Sequence, residues 1–369
     1  MREKIVAAVL NAAPGRLELE TILIDEPEAD EVRIRVAYAG LCHSDLHEID
    51  GTFETEVPIL LGHEAVGVVE KVGVAVEQFA PGDRVVTCVS AFCGYCRYCS
   101  SGHLTLCVNR SGLSHNRARP RLLNAGGLPV RPTAGLGTFA EAMLVHQNAL
   151  VAIPTSVRLD TASILGCAVT TGIGAVVRGA EVRAGSTVAV IGTGGIGIAA
   201  IQGARLAGAR QVIAVDVVPE KLEAALRFGA TDAVNAREGS PVERVLELTH
   251  GGVDYSFEAV GSAATVEQAF AMLVPRGVAT VIGMVPGNQP IKIGGAELFL
   301  QEKRLQGSFM GSNQFKTDIP RYIELNQQGR LALDDMVTSR VDLADINDGF
   351  TQLARGSDIR IVAKVSDVT

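Results

Sequence analysis

The segment from Ser186 to Leu206 constrains the fold more than any other, because it reads as a buried strand, a glycine loop and a helix in immediate succession. The loop matches the pattern G-x-G-x-x-G and runs Gly192-Thr-Gly194-Gly195-Ile196-Gly197. The next apolar run, Gln211 to Val215, predicts a second strand, which ends at Asp216. This order predicts a βαβ unit built on two parallel strands.

The loop has the spacing that a dinucleotide requires. Gly192 would make the tight turn, Gly194 would let the backbone approach a pyrophosphate, and Gly197 would permit close packing of helix on strand. Gly195 and Ile196 begin the helix, whose free N–H groups and positive dipole end attract phosphate. The sequence therefore predicts a dinucleotide site, with a glycine-rich turn that binds no ligand as the alternative.

Asp216 indicates which dinucleotide would bind. It follows Gly197 near the spacing of about 20 residues at which an acidic residue binds the adenosine ribose. No arginine comes after it to receive a 2′-phosphate, since the next residues are Val217, Val218 and Pro219. We therefore expect NAD rather than NADP; in the alternative, the aspartate only caps the following helix.

The middle of the chain repeats the strand–helix rhythm. Strand candidates at Thr187–Ile191, Gln211–Val215, Tyr255–Phe257 and Val278–Ile282 alternate with helices over about Ile196–Leu206 and Pro219–Phe228. This pattern predicts an α/β fold with a doubly wound parallel sheet. The N-terminal third is β-rich instead, and Glu31–Ala39 alternates apolar residues on one face with Arg33 and Arg35 on the other.

Composition narrows the class of protein. The chain has 369 residues, enough for two domains. Its formal net charge of −8 argues against a nucleic-acid binder. The apolar run Ile5–Leu10 is too short for a signal peptide, and the uncharged stretch Ala184–Ala204 is a poor membrane helix because of its glycines. We expect a cytoplasmic protein whose seven cysteines are metal ligands or buried thiols.

Four of these cysteines lie close together. Cys93, Cys96, Cys99 and Cys107 are separated by two, two and seven residues, and Gly94 and Gly102 supply sharp turns. Four closely spaced thiols suit a tetrahedral zinc ion with no open position, hence a structural site. Free thiols and an iron–sulfur cluster are the alternatives. The other cysteines, Cys42, Cys88 and Cys167, are far apart, and spacing alone does not bring them together.

Several further stretches give the chain a resemblance to a known family. They are Gly40-Leu-Cys-His-Ser-Asp45, Gly62-His-Glu-Ala-Val-Gly67, Gly166-Cys167, Gly251-Gly-Val-Asp-Tyr-Ser-Phe-Glu258 and Ile359-Arg-Ile-Val362. Together with the cysteine ladder and the glycine loop, they resemble the medium-chain, zinc-dependent alcohol dehydrogenases of the liver type over nearly the whole length.

The resemblance implies a domain organisation and two zinc ions per chain. Residues 1–168 and 310–369 would form a GroES-like catalytic domain, and 169–309 a Rossmann domain. Cys42, His63 and Cys167 would bind a catalytic zinc, and the four-cysteine ladder a structural zinc. Cys88 matches no ligand, and we expect a core thiol there. The segment Arg304–Met310 would be the edge strand of a homodimer, with a tetramer as the alternative.

The resemblance also implies roles around the catalytic zinc. Ser44 and His47 would relay the alcohol proton; the alternative is a helix-capping serine and a surface histidine. Asp45 would hold the His63 ring, and Glu64 would lie behind the metal.

Other positions would contact the cofactor and the substrate. His43 and Arg360 would contact the pyrophosphate, with His43 standing in place of the more familiar arginine, and Lys221 would lie beside the ribose. Phe53, Val89, Thr133 and Met284 would line an apolar pocket. Phe53 and Ser111 match an aspartate and an arginine with which the glutathione-dependent branch binds its substrate, so we expect no efficient turnover of S-hydroxymethylglutathione. The basic loop from Ser111 to Pro132 has no predicted role.

The predicted function is hydride transfer between a primary or secondary alcohol, aliphatic or aryl, and NAD, giving an aldehyde or ketone. The expected partners are small molecules, with no nucleic acid and no membrane. Two other functions remain: a zinc-free reductase of the same fold, disfavoured by the three candidate zinc ligands, and a non-catalytic nucleotide sensor.

Overall fold

The computed structural model describes residues 2–114 and 120–368, and the chain divides into two units. The first unit comprises Met1–Cys167, Gln314–Leu325 and Leu333–Thr369, and the second comprises Ala168–Asn313 and Asn326–Ala332. Segments 310–313 and 326–332, which the resemblance placed in the catalytic domain, group with the second unit. There Ala332 N–H donates to Gln202 Oε1 at 2.8 Å.

The N-terminal part consists mostly of strands, with short helices between runs of them. The strands are β1 (Glu3–Leu10), β2 (Leu17–Ile24), β3 (Glu31–Leu41), β4 (Ile59–Leu60), β5 (Ala65–Val72), β6 (Arg84–Thr87), β7 (Leu122–Leu123), β8 (Arg131–Pro132), β9 (Ala142–His146) and β10 (Leu150–Ala152). The α-helices are α1 (His43–Ile49), α2 (Arg97–Ser100), α3 (Arg110–Ser114) and α4 (Leu159–Ala162), and 3₁₀ turns cover Leu104–Leu106, Thr133–Gly135 and Gln147–Ala149.

The remaining elements follow in chain order. Helix α5 (Thr170–Gly174) lies between π-helical turns Leu165–Val169 and Ala175–Gly179. The second unit then holds β11 (Thr187–Ile191), α6 (Gly195–Leu206), β12 (Gln211–Asp216), α7 (Pro219–Arg227), β13 (Asp232–Asn235), α8 (Pro241–Thr249), β14 (Val253–Glu258), α9 (Ala263–Ala271), β15 (Leu273–Val281), α10 (Gly295–Leu300), β16 (Arg304–Gly307) and the turn Phe309–Ser312. The chain ends with α11 (Phe315–Gln327), β17 (Val337–Asp342), α12 (Ile346–Arg355) and β18 (Arg360–Lys364), with 3₁₀ turns at Asp334–Met336 and Leu343–Asp345.

Strand β3 organises the first unit. It pairs antiparallel with β5, β9 and β18, within a sheet whose main path is β10-β6-β5-β3-β18-β17. A second sheet has the order β7-β2-β1-β4-β8. The return of the chain at β18 therefore completes the sheet that the N-terminal part begins.

Both faces of β3 are buried, which its alternating sequence did not indicate. Arg33 was expected on a face opposite the apolar residues, yet its side chain is 1% exposed. Its guanidinium lies 2.8 Å from Glu3 Oε2 and 3.0 Å from Glu70 Oε2. A buried arginine requires such carboxylate partners because an unpaired buried charge is costly.

The second unit contains the predicted parallel sheet, with strand order β13-β12-β11-β14-β15-β16. This is the doubly wound order, in which the strand sequence reverses next to β11. Apolar residues of β11, β12 and β14 and of helix α9 form one buried core, which includes Ile191, Ile213, Val215, Val253 and Phe270. The predicted α/β fold class is therefore confirmed, with element ends within a few residues of those expected.

One helical stretch, Leu159–Gly179, is long and apolar enough to cross a membrane on length and composition alone. The most apolar 18 residues of this stretch are 94% buried within the fold, as is usual for the core helix of a globular domain. The uncharged stretch Ala184–Ala204 forms instead β11, the glycine loop and the first turns of α6.

The end of the chain is held to the first unit by an ion-pair network at Asp160. Arg158 Nη2 and Arg340 Nη2 donate to Asp160 Oδ2 at 2.7 and 2.6 Å. Burial alone would raise the pKa of Asp160, but these hydrogen bonds hold it at about 2. Because the folded pKa lies below the unfolded one, the pair stabilises the fold above about pH 4, and this contribution is lost as the pH falls toward 2.

We predict that Asp160→Asn lowers the free energy of unfolding by about 1–2 kcal/mol at pH 7, less than the full shift implies because the arginines are partly exposed. Urea unfolding at pH 7 measures it, with Asp335→Asn, an exposed neighbour, as the control. The difference should shrink below about pH 4. A variant as stable as the parent at pH 7 would contradict this role.

Candidate active site and metal centres

Two predicted metal ligands lie beyond adjacent strand ends. Cys42 directly follows β3. His63 lies two positions before β5, which begins at Ala65. The register of these strands pairs Ala39 with Ala65, so the chain segments carrying the two side chains leave the sheet side by side. Both side chains are buried.

A third ligand approaches through a close contact of two backbones. Gly166 lies so near β6 that a Cβ atom on it would come within 1.8 Å of Thr87 O. No other residue fits there, and the next residue is Cys167. The structure thereby brings Cys42, His63 and Cys167 together, with their ligand atoms all within 4.8 Å of one another.

Asp45 determines which ring nitrogen of His63 faces the thiols. Asp45 Oδ1 lies 3.1 Å from His63 Nδ1 and also accepts the Gly62 N–H at 3.0 Å. Nδ1 is thus engaged, and Nε2, which lies 3.5 Å from Ser44 Oγ, is directed to the thiol side. This is the carboxylate–histidine arrangement found behind metal-binding imidazoles.

The cluster has the electrostatics of a metal site. A hydrogen bond from Cys167 outweighs burial, and together with His63 it lowers the pKa of Cys42 well below its usual range. The same contact raises the pKa of Cys167 well above its own. Burial disfavours a charged His63, yet Asp45 and Cys42 raise the pKa of the ring well above its ordinary value. An anionic sulfur is therefore already favoured here.

Two thiols and one imidazole fit a catalytic zinc. This donor set occurs in zinc enzymes that leave the fourth position open, and its two thiolates balance the charge of the ion. The residues present could therefore hold zinc with room for one further ligand.

Ser44 and His47 share one face of the short helix α1, because they are three residues apart. Ser44 Oγ lies 3.1 Å from Cys42 Sγ. The capping alternative does not apply, since Cys42 is the N-cap of α1 and no side chain caps it. The His47 ring stands edge-on to Phe53, with centroids 5.1 Å apart, and its Nδ1 is 3.9 Å from Asp50 Oδ2.

Glu64 and Arg360 form a buried ion pair. The Glu64 carboxylate fills the space beside Gly40, where a Cβ atom would lie 2.2 Å from Oε1. Glu64 follows His63 directly in the chain, and its predicted place behind the metal stays a prediction. Arg360 contacts this carboxylate rather than solvent.

The four-cysteine ladder also forms a cluster. All four sulfurs lie within 4.8 Å of one another, and Cys96 and Cys99 Sγ are 3.4 Å apart. Sulfurs around one zinc would be about 3.8 Å apart, given Zn–S near 2.3 Å. Gly94 and Gly102 have φ angles of +84° and +82°, which favour glycine. The residues therefore fit a closed zinc site.

The backbone around the ladder is arranged to stabilise thiolates. Cys96 N–H points at Cys93 Sγ, 3.4 Å away, and Cys93 N–H at Cys107 Sγ, 3.3 Å away. A hydrogen bond from Cys99 N–H, with others, lowers the pKa of Cys96 to about 6. Arg110 braces the loop by donating to Ala91 O.

The glycine loop has the three features that a dinucleotide needs. Gly192 has φ +88°, so it makes the tight turn. A Cβ atom on Gly194 would meet nothing within 4 Å, which leaves open space for a ligand. A Cβ atom on Gly197 would lie 1.8 Å from Gly192 O, so only glycine permits this packing. Gly195 and Ile196 begin α6, with Gly194 as its N-cap.

Asp216 is more heavily engaged than its sequence position indicated. Its Oδ2 accepts from Thr193 N–H and Oγ at 2.7 and 2.9 Å. Its Oδ1 accepts from Val217 and Val218 N–H at 2.7 and 3.0 Å, before the start of α7. The carboxylate thus holds the glycine loop and the start of α7 together. Lys221, in the first turn of α7, is buried.

The four predicted substrate residues do not all line one cavity. Phe53 and Thr133 line one cavity of about 320 Å³, together with Glu48 and Arg131. Val89 is buried and does not line it, and Met284 belongs to the second unit and is 59% exposed. His43 is exposed, with its ring centroid 6.5 Å from that of His47. Cys88 is fully buried, as expected, and burial raises its pKa to about 11.

The basic loop is described only in part, since Arg117 and Arg119 lie outside the described residues. Sequence reasoning also gave no role to Glu258, a fully buried acid at the end of β14. The signal was available, because Glu258 closes an apolar strand at the ligand-binding edge of the sheet, as Asp216 closes β12.

Comparison with known proteins shows where this architecture occurs. The family described as "Alcohol dehydrogenase GroES-like domain" matches residues 28–155, and "Zinc-binding dehydrogenase" matches 195–326. Alcohol dehydrogenase 2 of Zea mays is 37% identical over 374 residues, which cover 99% of this chain and 98% of that protein. The chain belongs to the zinc-dependent, medium-chain alcohol dehydrogenases. It is therefore an oxidoreductase that acts on alcohols.

Other relatives show the breadth of the family. The S-(hydroxymethyl)glutathione dehydrogenase of Saccharomyces cerevisiae is 35% identical, with 99% of this chain and 97% of that protein covered. The crystal structure of benzyl alcohol dehydrogenase from Acinetobacter calcoaceticus superposes with a TM-score of 0.92 at 30% identity and covers 99% of this chain and 100% of that one.

The two cysteine clusters predict two zinc ions per chain with separable roles. We expect Cys42→Ala to retain about one zinc, lose alcohol oxidation and keep its fold. Cys96→Ser should also lose one zinc but unfold more easily, because structural zinc contributes to folding free energy.

Metal analysis, circular dichroism and thermal unfolding of protein purified without chelator measure these outcomes. Cys88→Ser is the control that should retain both ions, since Cys88 belongs to neither cluster. A fully active parent with one zinc or fewer would contradict the assignment.

Proposed function

We propose that this alcohol dehydrogenase transfers hydride between a small primary or secondary alcohol and NAD. The observation that supports this most is the buried cluster of Cys42, His63 and Cys167, with the histidine oriented by Asp45. Such a donor set serves a catalytic metal, which a zinc-free reductase or a nucleotide sensor does not need.

The three residues of the cluster would hold zinc through Sγ, Nε2 and Sγ. When bound, the metal supplies Lewis acidity that lowers the pKa of an alcohol oxygen. The chain's own part is to keep His63 Nε2 directed inward through Asp45, and to keep the cluster dry. Glu64 and Arg360 neutralise each other behind the cluster, so neither adds net charge to it.

The alcohol proton must leave the buried site. We propose that Ser44 Oγ accepts it, since this hydroxyl lies beside Cys42 Sγ and His63 Nε2. His47 would release it to solvent, because its ring lies on the same helix face and is about one-third exposed. Phe53, stacked edge-on against this ring, would limit its motion.

NAD would lie across the carboxyl edge of the parallel sheet, its pyrophosphate at the start of α6, with Gly192, Gly194 and Gly197 giving it access. The nicotinamide ring supplies hydride chemistry. Asp216 would accept hydrogen bonds from the adenosine ribose. Its four acceptor positions are taken by Thr193, Val217 and Val218. When NAD binds, the Thr193 hydroxyl would therefore rotate away and leave Asp216 Oδ2 able to accept a hydrogen bond from the ribose.

The substrate we propose is an apolar alcohol, aliphatic or aryl. Phe53 supplies an aromatic wall to the cavity that also contains Thr133. The charged residues of this cavity are Glu48, Glu54 and Arg131, and the Arg131 guanidinium lies 3.5 Å from Glu56. The likeness to a benzyl alcohol dehydrogenase favours aryl alcohols. The likeness to an S-(hydroxymethyl)glutathione dehydrogenase favours the adduct instead, but Phe53 gives that polar substrate no partner.

We also propose a homodimer that works in the cytoplasm. Strand β16 is the edge of the second unit's sheet, so its outer N–H and C=O groups are free to pair. Nearby Phe299 and Leu300 are 80% and 75% exposed. A second copy pairing along β16 would cover such residues. No disulfide joins any of the seven cysteines, all of which lie in the described part of the chain, and this agrees with a reducing compartment.

The cofactor prediction is a preference for NAD over NADP of at least about tenfold in kcat/KM, because a 2′-phosphate beside Asp216 costs up to about 4 kcal/mol. Steady-state kinetics with benzyl alcohol measure it in the parent and in Asp216→Gly, which should lose most of the preference.

Glu220→Gln, an exposed acid near the start of α7, is the control and should keep the parental preference. A parent that prefers NADP would overturn the role of Asp216. A parent that contains zinc and binds NADH but oxidises no alcohol would instead favour a nucleotide sensor.

The proton path predicts that His47→Gln slows alcohol oxidation most at low pH, where release of the proton is hardest. The loss should be near tenfold to a hundredfold, at or below the usual range for acid–base groups, because water can replace a partly exposed histidine. A pH–rate profile from pH 5.5 to 9 measures it. A profile identical to that of the parent would remove His47 from the mechanism.

A further inference from the structure

Glu258 is a fully buried carboxylate that binds one turn of the second unit at several points. Its Oε1 accepts hydrogen bonds from Val260 N–H at 2.9 Å, Gly261 N–H at 2.7 Å and Thr265 Oγ at 2.8 Å. Its backbone carbonyl accepts from the N–H groups of Ile282 and Gly283 at 2.8 and 3.0 Å. A single residue thus fixes the turn after β14 and the segment after β15.

The turn that Glu258 holds, residues 259–261, lies between the glycine loop and Met284. A Cβ atom on Gly192 of the glycine loop would lie 2.8 Å from Val260 Cγ2. On the other side, a Cβ atom on Gly261 would lie 2.9 Å from Met284 N and O. The Val260 side chain is 56% exposed and can turn away from Gly192, whereas the atoms of Met284 at the contact belong to the backbone. A displacement of the turn would therefore be passed mainly to Met284.

The carboxylate is not the most stable choice for this position. Oε2 has no hydrogen-bond partner in the described part of the chain, and no described cation pairs with Glu258. A buried, half-satisfied carboxylate costs free energy compared with a neutral group. A charged acceptor makes hydrogen bonds about twice as strong as a neutral one, so it holds three donors more rigidly. The chain retains rigidity here at the expense of stability.

The position of Glu258 relates it to one half of the dinucleotide. In the order β13-β12-β11-β14-β15-β16, Asp216 ends β12 on one side of β11, and Glu258 ends β14 on the other. A dinucleotide that crosses this edge with its adenosine at Asp216 would bring its nicotinamide half over β14 and β15. There the turn 259–261 and Met284 form the surface.

We propose that Glu258 is a positioning residue for the nicotinamide half of the cofactor. It acts through the turn 259–261 and residues 282–284, which it holds in place, and it does not touch the reacting atoms. This inference rests on the proposed use of NAD, and it assigns a specific residue to the rigidity of one end of that site.

The test compares two ligands that differ only at the nicotinamide end. We expect Glu258→Gln to weaken NADH binding about tenfold while ADP-ribose binding stays within twofold of the parent. NADH fluorescence and calorimetry measure the two affinities. The primary deuterium isotope effect on kcat with deuterated benzyl alcohol should rise, because a poorly seated nicotinamide slows hydride transfer. Glu243→Gln, an exposed glutamate on α8, is the control and should change nothing.

A second variant tests the same network without altering the carboxylate. Thr265→Val removes one of the three donors to Oε1 and should weaken NADH about threefold, again without effect on ADP-ribose. It also carries the test if Glu258→Gln does not fold. Equal weakening of NADH and ADP-ribose would show a merely structural role and overturn the proposal, as would unchanged NADH affinity. A parent that binds no NADH would overturn the proposed function itself.

Discussion

The hydrogen-bonded ladder around strand β3 is the constraint on which the first unit depends. β3 pairs with β5 on one side and with β18 on the other, with Ala39 opposite Ala65 and Leu41 opposite Ile361. These two registers bring the segments that carry Cys42, His63 and Arg360 to one end of the sheet. A slip of one residue in either pair would reverse every side chain on that strand. A slip between β3 and β5 would also separate the buried Arg33 guanidinium from Glu70.

Carboxylates, three of them buried and Asp216 partly buried, hold loops and side chains in place in both units. Asp45 orients the His63 ring and caps the Gly62 N–H, and Glu64 neutralises Arg360 behind the same cluster. In the second unit, Asp216 joins the glycine loop to α7 and Glu258 holds the turn after β14. A charged acceptor binds several N–H donors at once and strengthens each bond. The cost of desolvation is tolerated because these groups cannot be allowed to move.

Local sequence patterns predicted those structural features that depend only on residues close together in the chain. Strand β11, the glycine loop and α6 could be read directly, because a buried strand and glycines at fixed offsets act within one βαβ unit. The cysteine ladder was equally accessible, since its sulfurs lie within fifteen residues of chain. Other features depended on distant partners. Arg33 looked like a surface residue until Glu3 and Glu70 came beside it, and Asp216 showed no link to Thr193 in the sequence.

The sequence by itself determined the α/β class, the dinucleotide loop and the four-cysteine cluster, because each arises from residues close in the chain. Resemblance to a family, rather than spacing, pointed to Cys42, His63 and Cys167. Only the tertiary structure brought those three together, through the β3–β5 register and the contact of Gly166 with Thr87. Tertiary structure also added contacts of Glu258 that the sequence did not indicate. Its side chain accepts hydrogen bonds from nearby residues, but its backbone carbonyl accepts from Ile282 and Gly283, which follow another strand. Hydrogen bonds between such distant segments form only when the chain packs.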